Sequence, residues 1–148
     1  MDAISMLKED HRKVEKLFKE IEDAAPGKRE QLFKEINKEL TVHAELEEKL
    51  FYPTANQAKP THEMALEAVE EHKQVKMVLA DLQKSDKKTE TWLAGVKVLM
   101  EDVLHHVKEE ETELFPKIRK EVLSEQQLIE LGQRMQAMKS ELMATVKV

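Results

Sequence analysis

The chain has no cysteine, which removes disulfides, thiolate nucleophiles, iron–sulfur clusters and cysteine-type zinc sites together. Any metal it holds must be held by nitrogen and oxygen. Turn and sheet formers are also scarce: three glycines, four prolines and 4% aromatic residues in 148 positions. With 36% charged and 41% hydrophobic residues, this profile points to an all-helical bundle. The length suffices for one compact domain with a real core. The most apolar window, "TWLAGVKVLMEDVL", is broken by Lys97, Glu101 and Asp102 and is too short to span a bilayer. The first fifteen residues, "MDAISMLKEDHRKVE", are too polar for a signal peptide, so a soluble cytoplasmic protein with no membrane partner is expected. A formal net charge of −6 and the lack of a basic stripe argue against a nucleic-acid partner. Neither a nucleophile–base pair nor a phosphate-binding loop is recognisable.

Turn signals cut the chain into five helical segments. The first runs from about Ala3 to Asp23, with Asp2 as N-cap. The second begins near Lys28 and stops near Pro53. Thr61 caps a third that reaches about Lys84, and "KSDKK" follows as a polar loop. Thr89 opens the fourth, which kinks or ends at Pro116. "SEQQ" from Ser124 reads as a capping box for a fifth helix reaching about Ala144.

Within the first four segments the apolar residues alternate in steps of three and four. Ile4, Leu7, Val14, Phe18 and Ile21 mark the first stripe, and Phe33, Ile36, Leu40 and Leu50 the second. Ala65, Ala68, Val75, Leu79 and Leu82 mark the third. Trp92, Val96, Leu99, Val103 and Leu114 mark the fourth. This is the inner seam of an antiparallel, up-down-up-down four-helix bundle. The positions it skips are polar: His11, His43, Glu47, His72, His106 and Glu110.

Burying one polar side chain without a partner costs about 1–3 kcal/mol, so six of them need a common solution. His11 and His72 lie near the starts of the first and third helices. The His43/Glu47 and His106/Glu110 pairs lie near the ends of the second and fourth. Antiparallel packing brings those starts and ends to one level, where four imidazoles and two carboxylates make a metal site for zinc, copper or iron. The chain also repeats itself. "HAELEEKLFYP" (43–53) and "HVKEEETELFP" (106–116) share His, Glu, Glu and Pro at positions one, five, six and eleven. Each is preceded by a lone seam histidine. One helical hairpin used twice implies a pseudo-two-fold axis through the site, and two equivalent halves favour two metals.

On these residues the chain, over about 3 to 120, resembles the haemerythrin-like family with its HHE cation-binding domain. The resemblance implies a non-haem di-iron centre with two Fe ions, oxo- or hydroxo-bridged when oxidised. In it His11, His43, His72 and His106 would be terminal ligands, and Glu47 and Glu110 would bridge. It implies a small diatomic or peroxide ligand, with dioxygen, peroxide or nitric oxide bound or reacted at the centre. Iron storage or sensing and reversible oxygen binding are the alternatives. The oxygen carriers of the family add a fifth histidine through HxxxH on the third helix, whereas the positions four residues either side of His72 are Ala68 and Lys76. They also carry an Asp five residues after the last histidine, where this chain has Glu111. A more open, more reactive centre is therefore expected. The ferritin-like carboxylate class uses ExxH pairs, and no Glu stands three residues before His43, His105 or His106.

The remaining candidates have plainer readings. His105 belongs on a flank of its helix, His62 in solvent, and Glu48 and Glu111 at the surface or beside the ligands. Tyr52 reads as a helix-end anchor. The fifth helix carries its own stripe at Leu128, Leu131, Met135, Met138 and Leu142. Residues 1–122 are expected to form the metal-binding bundle, with 123–148 packing on it or making a homodimer contact.

Overall fold

Asp2 starts the first helix by accepting the backbone N–H of Ser5 at 3.0 Å. Thr89 does the same for Trp92 at 3.1 Å. Ser124 and Gln127 form the reciprocal capping box expected from "SEQQ". The computed structural model describes all 148 residues, and every regular element is helical. These are α1 (Ala3–Asp23), α2 (Pro26–Leu46), α3 (Tyr52–Gln57), α4 (His62–Lys84), α5 (Glu90–Glu109), α6 (Phe115–Lys117) and α7 (Glu125–Thr145). No helix is long and apolar enough to cross a membrane.

α1 packs against α2 and α4 against α5, while α1–α5 and α2–α4 contacts close the four-helix bundle. α7 lies outside it against α1 and α2. The apolar core comes in two pieces. One gathers Leu7, Leu46, Phe51, Ala68 and Ile118 with α7 residues Leu128, Leu131 and Met135. The other gathers Phe18, Phe33, Ile36, Leu82, Trp92 and Leu99. His11, His72 and Glu110 each fall in sequence between a member of one cluster and a member of the other, so the polar seam residues lie where the two clusters meet.

Three expectations need correction. The second helix does not stop near Pro53. It opens into a π-helical turn at Glu47–Phe51 and continues through Pro53 to the end of α3. The fourth likewise passes Pro116 through a π turn at Glu110–Leu114, α6 and a further π turn at Ile118–Val122. A proline ring clashes with the carbonyl four residues back and offers no N–H, and widening the preceding turn relieves that clash without ending the helix. The extra residue also moves the seam. Leu50 is only half-buried, while Phe51 and Tyr52 take the inward positions at 1% and 2% exposure. Thr61, finally, does not cap α4 with its side chain, because its buried hydroxyl donates to the Ala55 carbonyl at 2.7 Å.

Candidate metal centre

Two of the three π turns begin at seam glutamates, Glu47 and Glu110, so the backbone departs from α-helical winding where those carboxylates enter the bundle. All six sequence-predicted residues come together there, and none is more than 8% exposed. The histidines form two pairs. The His11 and His43 rings lie 4.9 Å apart, and those of His72 and His106 4.8 Å apart. Glu47 Oε1 lies 3.2 Å from His43 Nε2 and 3.1 Å from His72 Nε2, so this carboxylate touches both pairs. Glu110 also touches both, with Oε1 3.2 Å from His11 Nε2 and Oε2 3.4 Å from His106 Nε2. Two donor clusters result, His11/His43/Glu47/Glu110 and Glu47/His72/His106, whose ligand atoms lie within 4.8 Å of one another.

Every Nε2 faces this centre, and every Nδ1 faces a carboxylate outside it. Asp10 Oδ2 meets His43 Nδ1 at 2.9 Å, and Glu71 Oε1 meets His106 Nδ1 at 2.6 Å. Glu48 Oε2 meets His72 Nδ1 at 2.9 Å, and Glu111 Oε2 meets His11 Nδ1 at 2.6 Å. The four contacts obey the pseudo-two-fold. The acid preceding each lone histidine serves the partner helix's HxxxE histidine, and the acid following each HxxxE glutamate serves a lone histidine. Such a partner holds the ring by its Nδ1–H and turns the Nε2 lone pair toward a cation. Sequence reasoning left Glu48 and Glu111 open and missed Asp10 and Glu71. Their signal was position: each stands immediately before a lone seam histidine.

His105 is exposed and pairs with Glu109 at 3.0 Å, away from the centre. His62 is exposed too, with Nδ1 2.8 Å from the Asn56 carbonyl. Tyr52, expected as a helix-end anchor, instead puts its hydroxyl in the middle of the site. It lies 2.6 Å from Glu110 Oε2, 3.0 Å from Glu47 Oε1, 3.2 Å from His72 Nε2 and 3.1 Å from His106 Nε2. The repeat-equivalent residue is Phe115, which stacks on His11 with ring centroids 6.0 Å apart. A seventh donor group, a phenol oxygen, thus has no counterpart in the other half of the repeat.

The electrostatics are those of a site that keeps its own protons. Burial disfavours a charged His43, but the Glu47 and Asp10 carboxylates outweigh it and push its pKa up to about 10. His106 is raised well above 6.5 against its burial, by Glu110, Glu47 and Glu71. Burial would raise Glu47, yet the surrounding imidazoles hold it well below the usual carboxylate range. Burial and the two carboxylates push the Tyr52 phenol up. Of the five buried side-chain atoms that lack a hydrogen bond, one is Arg29 Nε, and the other four are His11 Nε2, His43 Nε2, Glu47 Oε2 and Glu110 Oε1. Those four belong to the inner set. Unpaired inward imidazole and carboxylate atoms, the imidazoles each backed by an outer carboxylate, fit a transition-metal cation such as zinc, copper or iron.

A cavity of about 50 Å³ adjoins this layer. All four histidines line it, and Val14, Leu40, Leu79 and Val103 make its opposite wall apolar.

The model of the hemerythrin HHE cation binding domain matches residues 2–118. The chain belongs to that family. Among solved structures, a hemerythrin HHE cation binding domain-containing protein from Mycobacterium kansasii, the Rv2633c homolog, superposes with a TM-score of 0.87. The two share 27% identity, and the match covers 98% of this chain and 89% of that one. A protein of Nostoc sp. (strain PCC 7120 / SAG 25.82 / UTEX 2576) named as a DNA nickase is 32% identical over 127 residues. This HHE chain is 85% covered in that match but spans only 36% of the relative's length.

Proposed function

We propose that this HHE protein binds two iron ions between its histidine pairs and uses them on dioxygen, peroxide or nitric oxide. His11, His43, His72 and His106 would be terminal ligands, with Glu47 and Glu110 spanning both ions. The observation that carries this reading is the pairing: two His₂ clusters, equally spaced, touched by the same two carboxylates. The iron pair would supply electrons to the bound ligand and an open coordination position. The chain's own residues do the rest. Asp10, Glu48, Glu71 and Glu111 orient the rings, the two apolar clusters keep bulk water away, and the cavity sets the ligand size. At about 50 Å³ it has room for a molecule of two or three atoms beside the histidines.

Residue types around His72 bear on the choice among these ligands. Ala68 is buried in the apolar core and Lys76 reaches outward to Glu48 at 3.1 Å, so neither supplies a fifth histidine. This supports a reactive centre over an oxygen carrier. We read residues 1–122 as the metal-binding bundle and 123–148 as a helix packed on it, in a cytoplasmic monomer or a homodimer through α7. The −6 net charge supports leaving nucleic acid out of this reading. The DNA nickase has nearly two thirds of its length outside the match.

The test is to load the protein with ferrous iron without oxygen and then add air, peroxide or nitric oxide in turn. Repeated turnover of peroxide or nitric oxide supports the enzyme reading. A visible band that forms in air and vanishes on degassing would favour reversible oxygen binding instead. Iron that exchanges freely with solution chelators, with no reaction of either kind, would favour storage or sensing.

A further inference from the structure

Three of the four carboxylates that hold the histidine rings end on a cation. Glu48 ends on Lys76 of α4, and Glu111 on Arg12 of α1, both bundle helices. Glu71 pairs with no lysine or arginine. Asp10 ends on Lys139, which belongs to α7. Lys139 Nζ lies 2.6 Å from Asp10 Oδ1, while Asp10 Oδ2 holds His43 Nδ1 at 2.9 Å. Asp10 is 4% exposed, so both its oxygens are committed and water has little access to either.

The position of Lys139 is set by backbone packing. Gly132 sits against the first residues of the chain, where a Cβ would come within 2.4 Å of the Met1 carbonyl oxygen and 2.9 Å of Ala3 N. Seven residues separate Gly132 from Lys139, and seven separate Ala3 from Asp10. α7 therefore runs parallel to the start of α1, and equal rises of about 1.5 Å per residue carry Lys139 to the level of Asp10. The buried Leu128, Leu131 and Met135 of α7 pack in one cluster with Ala3, Ile4 and Leu7 of α1, in keeping with this docking.

We infer that α7 is a positioning element for one half of the metal centre, acting through Lys139 and Asp10 on the His43 ring. Lys139 is a positioning residue: it touches no ligand atom of the inner set. With α7 docked, the ammonium holds Asp10 in the rotamer that orients His43. Without it, a buried carboxylate oxygen is left unpaired and Asp10 is free to leave the ring. The His72/His106 half has no such link, because its corresponding acid, Glu71, ends on no helix outside the bundle. The two metal positions are thus inequivalent, and only the His11/His43 position responds to the docking of α7. This inference rests on the two-metal reading proposed above.

Lys139→Met keeps the apolar stem and removes the charge, and Lys139→Arg restores it. Thermal melting establishes that both are folded. Wild type and variants are loaded anaerobically with ⁵⁷Fe(II) and read by Mössbauer spectroscopy and iron titration. In Lys139→Met one of the two iron signals is expected to shift or to lose about tenfold or more in affinity, the other staying in place, and Lys139→Arg returns both to wild type. Lys76→Met, acting through Glu48 on His72, should disturb the opposite signal. The metal-free proteins supply a second readout: imidazole ¹⁵N shifts of His43 should move in Lys139→Met while those of His106 do not. Identical iron signals and identical His43 shifts in Lys139→Met and wild type would overturn the inference. So would equal disturbance of both irons that Arg fails to restore. Failure of wild type to take up iron, with the His43 shift still dependent on Lys139, would strike the metal reading and leave the coupling standing.

Discussion

Glu48 and Glu111 occupy equivalent places in the repeat and hold His72 and His11 through Nδ1. Changing either to Gln removes the charge while keeping the shape, and metal affinity should fall about 10–100-fold in each, by similar factors. A titration showing wild-type affinity in both would mean that these contacts do not orient the ligands. The neighbours His105 and His106 separate more sharply. His106→Ala should lower metal stoichiometry and His105→Ala should leave it unchanged, since only the former faces the centre. The value of His43, pushed up to about 10, favours a proton on that ring at neutral pH in the metal-free chain, and the neighbouring carboxylates shift His106 in the same direction. That stabilisation is fully present below the ordinary histidine value of 6.5 and is lost as pH rises through the folded value. A cation must displace protons from such rings, so metal affinity should rise with pH and binding at pH 7 should release protons. Calorimetry in buffers of different ionisation enthalpy measures this, and no proton release would contradict it.

The helices themselves were legible from the sequence because periodicity and caps agree. Asp2, Thr89 and Ser124 cap where their side chains suggest, and the stripes from Ile4 to Ile21 and from Trp92 to Val103 are buried throughout. The six inner residues were legible for the same reason: they interrupt those stripes in step. What escaped was set by local winding and by tertiary partners. A proline in a helical pattern signals a stop, a kink or a π turn alike, and the π turn chosen here rotates Tyr52 into the centre and Leu50 away from it. Asp10 and Glu71 lie off the stripe of their own helices, and their partners lie on neighbouring ones, a relation no single-helix period contains. The register of α7 belongs to the same class, since Gly132 is distinguished only by the backbone it meets. Gly132→Ala should destabilise the protein by about 1–3 kcal/mol through overpacking against residues 1–3, as read from denaturant unfolding. Wild-type stability in that variant would mean that α7 docks more loosely than its contacts indicate.

Across the molecule, a polar layer of four imidazoles and two carboxylates divides the core into two apolar clusters. Four buried atoms of this layer have no hydrogen-bond partner, and a bound cation would engage them. Metal removal should therefore lower the unfolding free energy, by about 2.7 kcal/mol for each independent site, relative to protein held at a free metal concentration a hundredfold above Kd. The measurement to make is an anaerobic ferrous titration of the metal-free chain, followed by iron analysis and an optical spectrum in air. Two irons per chain, with the near-ultraviolet bands of a bridged ferric pair, are expected. One ion per chain, or none, would contradict a centre built from two histidine pairs and two shared glutamates.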